Sequence, residues 1–177
     1  MEMPPDPFID ARMVPAAPRV TAFRFAVPQH TDPLGRSGPT PGTARGRGFR
    51  RTGPGLFVPA DAGFDQPTQR VVEAASLLPP GGAVTGWASL HLAGAMYVDG
   101  TTTAGRTLPV PLLVPSYRCD RPGVTFGRGA LHPDEVVVRH GVRCTNLHRA
   151  LLDAVCRADD LREAVVLIDM VMYAELT

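Results

Sequence analysis

Proline and glycine divide this 177-residue chain into two parts. Twelve of the 19 prolines and eight of the 18 glycines lie in the first 67 positions, 20 residues of 67, against 17 of the remaining 110. Proline removes a backbone donor and glycine carries the largest entropic cost of ordering, so regular elements cannot run far where both are dense. Residues 1–32 are therefore expected to be extended or disordered, and 33–66 to form a short basic segment. Residues 67–177, where the periodic apolar positions begin, should hold the core.

The periodic part reads as mixed helix and strand. "PTQRVVEAASLL" puts Val71, Ala74, Ala75 and Leu78 on one helical face, with Pro67 tolerated in the first turn. "AVTGWASLHLAGA" suggests a short strand, a Thr85 cap and a helix carrying Trp87 and Leu90. "LPVPLLVP" is a strand candidate that its prolines assign to a sheet edge or an irregular course. "EVVVRHGVRCT" reads as a hairpin with a His140-Gly141 turn. Two helices follow. The first is capped by Thr145 or Asn146, with Leu147, Leu151, Ala154 and Val155 as its stripe. The second has Asp160 and Glu163 at capping-box spacing and an apolar face of Leu161, Ala164, Val165, Ile168 and Met172. The fold class implied is α+β: a partial winged helix-turn-helix-like segment, then a small mixed α/β domain. The abrupt end at "ELT" suggests a chain truncated at its C-terminus.

Charge is more informative in its distribution than in its sum. The net charge is +1, but residues 34–60 carry Arg36, Arg45, Arg47, Arg50 and Arg51 with no acid, a local +5. Residues 151–177 carry six acids against Arg157 and Arg162, a local -4. A basic front suits a polyanion, although two oppositely charged solvated surfaces would read the same way. The stretch "ARGRGFRRTGPGLFVPA" would suit a short helix bearing Arg45 and Arg47, then a two-stranded wing tipped by Arg50 to Gly55. In such a module these four arginines neutralise phosphates of double-stranded DNA.

All eighteen basic residues are arginine. Without lysine the chain can make no phosphate-binding G-x-x-x-x-G-K-[ST] loop, no Schiff base and no S-x-x-K pair. Three unevenly spaced cysteines make no disulfide framework and suit a reducing cytoplasm. No apolar run of eighteen residues exists, so no membrane-spanning helix is expected, and the N-terminus lacks the pattern of a secretory signal. Cys144 and His148 are spaced C-x-x-x-H without a second ligand pair; a buried thiol and a surface histidine account for them. Asp134-Glu135 beside a strand resembles half of a nuclease metal site, but the partner lysine is missing and a turn explains the pair. Trp87 and His91, on one helical face, read as core. No catalytic residue, metal or cofactor is assigned.

Several of these stretches together resemble a known family. "FRRTGPGLFVPA", "GGAVTGWASLHLAGA", "LPVPLLV", "RPGVTF" and "LHPDEVVVRHGVRCTNLHRALLDAV" are similar to the actinobacterial abortive-infection (AbiEi-type) antitoxins of type IV toxin–antitoxin systems, over about residues 39–177. The resemblance implies an N-terminal winged helix-turn-helix that binds promoter DNA, and a second domain that opposes a cognate nucleotidyltransferase toxin. By position, Arg45, Arg47, Arg50 and Arg51 fall at the end of the recognition helix and on the wing. Many relatives continue into an endonuclease-like domain, for which no sequence remains here. The implied function is a non-enzymatic, cytoplasmic DNA-binding regulator or antitoxin. The alternatives are a non-catalytic N-terminal fragment of an endonuclease-like protein and a decayed reading frame.

Overall fold

The computed structural model of the chain describes residues 25–63, 66–116 and 118–174. Most of the segment expected to be disordered lies outside them. Its last part does not: Phe25 to Asp32 is placed and includes strand β1 (Gln29–His30). After a loop and the four-residue helix α1 (Pro41–Ala44) come β2 (Phe49–Gly53) and β3 (Leu56–Pro59). These strands form an antiparallel sheet in the order β1-β3-β2. Leu56 and Val58 of β3 are buried while Phe57 between them is half-buried, the alternation expected of a strand with one face covered.

The second part contains α2 (Pro67–Ala75), β4 (Ala83–Val84), α3 (Gly86–Ala93), β5 (Val110–Val114) and β6 (Val124–Arg128). It continues with a 3-10 turn (Pro133–Glu135), β7 (Val136–Arg139), β8 (Val142–Thr145), α4 (Leu147–Val155) and α5 (Leu161–Tyr173). The five strands make a mixed sheet ordered β6-β5-β4-β8-β7. α2 and α3 pack against it, α4 packs on α3, and α5 on α4. The core gathers Val71, Val84, Leu90, Val110 and Leu112, all at most 1% exposed. Fully burying an aliphatic side chain of this kind contributes about 1.5–3 kcal/mol. The fold is α+β.

Local signals fall where the sequence puts them. His140 (φ 51) and Gly141 (φ 78) both take positive φ, as a two-residue hairpin turn requires. Asn146 caps α4 by accepting from the Arg149 N–H at 2.9 Å, and Asp160 caps α5 through the Glu163 N–H at 2.8 Å.

Two expectations are corrected. β5 is interior, between β4 and β6, despite Pro111. The Pro111 carbonyl accepts from the Thr85 N–H at 3.0 Å, and the missing proline donor would have served the Thr85 carbonyl. Thr85 is the N-cap of α3, however, and its carbonyl already accepts from the Ser89 N–H at 3.4 Å. The helix supplies the donor that proline cannot, so the strand tolerates it. The face of α5 also differs. Ala164 and Val171 are buried, with Leu167 and Met170 packed against the core, while Leu161 is 80% and Met172 59% exposed. Both stripes are apolar, so periodicity did not identify the inward one.

The small sheet and the chain before it contact α2. Gln69 of α2 accepts from the Ala26 N–H at 2.8 Å and donates to the Ala26 carbonyl at 3.0 Å, pairing with the backbone as a neighbouring strand would. Its amide also donates to Glu73 at 2.7 Å, and Glu73 holds Arg50 of β2. Beside this polar chain, Gly53 lies so close to Leu77 that a Cβ there would stand 3.0 Å from a leucine methyl. Contact of both kinds fixes the small sheet to α2.

Candidate nucleic-acid interface

The site begins with an acid that shapes a loop. Asp32 accepts backbone N–H donors from Leu34 (2.9 Å), Arg36 (2.8 Å) and Ser37 (2.9 Å), and the Ser37 hydroxyl at 3.1 Å. These donors, Leu34 first, lower its pKa to about 2. The Asp32 N–H closes the loop on the Pro39 carbonyl at 2.9 Å. Gly38 packs against β1 so tightly that a Cβ would stand 2.0 Å from the His30 carbonyl. Thr40 then caps α1 through the Thr43 N–H, with Pro41 in its first turn.

α1 stops after four residues, and this corrects the helix expected to bear Arg45 and Arg47. Arg45 is its C-cap, and Arg47 lies in the turn between Gly46 and Gly48 that enters β2. Glycine on both sides favours the turn over another helical residue. Among the described residues of 33–66 there is no second helix, so a helix-turn-helix is not seen there.

The hairpin sorts the arginines by strand alternation. Arg51 pairs with Phe57 in register, is exposed, and donates from Nε to the Gly53 carbonyl at 3.0 Å. Arg50 pairs with the fully buried Val58 and points inward. It donates from NH1 to Glu73 Oε2 at 2.8 Å, from NH2 to Glu73 Oε1, and from NH2 to the Ala62 carbonyl at 3.2 Å. The hydrogen bond to Glu73 raises its pKa further. Arg50 is thus committed to the fold and leaves the expected phosphate-binding set; it also sits within β2 rather than at the hairpin tip, which is Pro54-Gly55. Arg45, Arg47 and Arg51 remain exposed. So does Arg36, on the Asp32 loop. Glu73 was not identifiable beforehand, since it lies 23 residues downstream in a different element.

The other candidate groups are occupied. Glu135 accepts from the His132 N–H at 2.9 Å and from Arg149 NH1 at 2.9 Å, and both bonds, His132 first, lower its pKa. Arg149 Nε bonds Asp153 at 3.0 Å, and Asp153 accepts from the buried Thr85 hydroxyl at 2.5 Å. Asp134-Glu135 therefore forms a turn tied to α4. Cys144 is buried, which pushes its thiol up to about 11, while His148 is exposed. His91 is 2% exposed beside the Thr68 hydroxyl at 3.1 Å, and burial lowers its pKa. Trp87 is likewise core. Among the described residues no three His, Cys, Asp or Glu side chains converge as a metal site.

Comparison with known proteins adds nothing to this geometry: no family model, no curated protein and no solved structure matches the chain.

Proposed function

We propose that the chain is a non-enzymatic DNA-binding regulator of the antitoxin type, in which Arg45, Arg47 and Arg51 hold duplex phosphates. The observation that carries this reading is the division between Arg50 and its neighbours. One arginine docks the hairpin on Glu73, while three project into solvent around β2. Arg51 on the docked hairpin, and Arg45 and Arg47 on the turn that leads into it, have less entropy to lose than they would on a disordered tail. Their stretch contains no acid from residue 34 to 60, although the exposed Asp61 follows it.

With no long helix among the described residues of 33–66 to enter a groove, contact is with the backbone, which positions but does not specify. The resemblance of residues 39–177 to AbiEi-type antitoxins supplies the biological partners: promoter DNA, and a nucleotidyltransferase toxin for the α+β domain. Such a role belongs in the cytoplasm. Among the described residues no helix is long and apolar enough to cross a membrane.

The test is anisotropy with the protein's own upstream DNA and a scrambled duplex. Three phosphate contacts give a slope of log K against log salt of about -2.7, at roughly 0.9 per contact. The two duplexes should bind with similar affinity, and Ala at all three positions should remove most binding. An unchanged triple variant, or no binding at low salt, would overturn the reading.

A further inference from the structure

α5 turns Val166, Leu167 and Met170 toward a cavity of about 450 Å³. Trp87, Leu108, Gly86 and Ala154 also line it. The Trp87 wall is rigid. Its Nε1–H donates to the Pro109 carbonyl at 2.9 Å, Arg70 stacks 5.2 Å from the ring centre, and Gly100 lies so close that a Cβ would stand 2.6 Å from the ring. Cavities of this size, apolar with a few placed polar groups, are the usual form of small-molecule sites.

The charges at the rim determine which ligand fits. Arg106 pairs with Asp159, and Glu163 accepts the Asp159 N–H at 3.3 Å as part of the cap of α5. Arg157 is different. Its NH1 donates to the Asp153 carbonyl at 3.3 Å, and among the described residues no carboxylate lies within ion-pair distance of it. Its NH2 lies where a side chain at residue 127 would stand; a Cβ on Gly127 would be 2.6 Å away. The missing side chain leaves room for a guanidinium beside an apolar cavity, a planar donor suited to a carboxylate or sulfonate.

We propose that this cavity binds a small apolar monoanion, its body against Trp87, Leu108 and Leu167 and its acid group on Arg157. The inference does not depend on DNA binding. Trp87 is the chain's one tryptophan, so its fluorescence reports occupancy. The probes are 1-anilinonaphthalene-8-sulfonate and its neutral counterpart N-phenyl-1-naphthylamine. Each should quench Trp87 saturably at one site. Arg157→Gln, a change at an exposed position, should weaken the sulfonate about tenfold or more and leave the neutral probe unchanged. Val166→Phe should weaken both by filling the cavity, with the thermal melt checking that each variant is folded. Absence of saturable quenching, or equal effects of Arg157→Gln on the two probes, would overturn the proposal.

Discussion

Arg50 and Glu73, 23 residues apart, meet in a two-pronged ion pair, NH1 to Oε2 at 2.8 Å, with side chains 24% and 12% exposed. The pair joins β2 to α2. Because Glu73 also receives Gln69, and Gln69 holds Ala26, one carboxylate connects three segments. The contact is partly shielded and bidentate, so it is worth more than an exposed surface bridge.

Removing the guanidinium leaves Glu73 half-satisfied in a shielded place. Arg50→Ala should cost about 1–3 kcal/mol, whereas Arg51→Ala, on the solvent side of the same strand, should stay within about 0.5 kcal/mol. Arg50→Lys should recover little, because an ammonium cannot occupy both carboxylate oxygens in the same plane. Urea unfolding of the three variants measures this. Equal losses at positions 50 and 51 would show that strand alternation does not separate their roles.

The Asp32 loop should be sensitive to acid. Its carboxyl is lowered from 3.8 to about 2 by backbone donors, so the folded form favours the charged state. The loop's stabilisation is therefore complete above the unfolded pKa near 4 and is lost as pH falls through about 2. Proton NMR between pH 5 and 1.5 should show the Leu34, Arg36 and Ser37 amides titrating together near pH 2. A midpoint near 4 would mean that the donors do not hold the carboxylate. Asp32→Asn should speed exchange of the same amides at neutral pH.

Thiol labelling reports on the sheet. Cys119 and Cys156 are exposed, while Cys144 is buried in β8 with its thiol pushed up to about 11. The thiolate is the reacting species, so burial and the raised pKa act in the same direction. Iodoacetamide at pH 8 should add two groups to the folded protein and three in denaturant, as read by mass spectrometry. A third adduct under native conditions would show that β8 opens readily.

The sequence by itself determined the elements whose causes are local. The His140-Gly141 turn and the Asp160 cap depend on residues a few positions apart, as does the α4 cap, which the structure gives to Asn146 rather than Thr145. Only the tertiary structure decided the rest. Pro111 is tolerated in an interior strand because Thr85, twenty-six positions earlier, both donates to its carbonyl and begins a helix. α5 carries two apolar stripes that share Ala164, and the packing of α4 and the core, not their hydrophobicity, selected Leu167, Met170 and Val171 over Leu161 and Met172. Among the four arginines, Arg50 was removed from the candidate site by a carboxylate on α2 that no local pattern ties to it. An arginine in a basic run looks the same whether it faces phosphate or a shielded glutamate. The difference lies in long-range contact, which spacing along the chain does not encode.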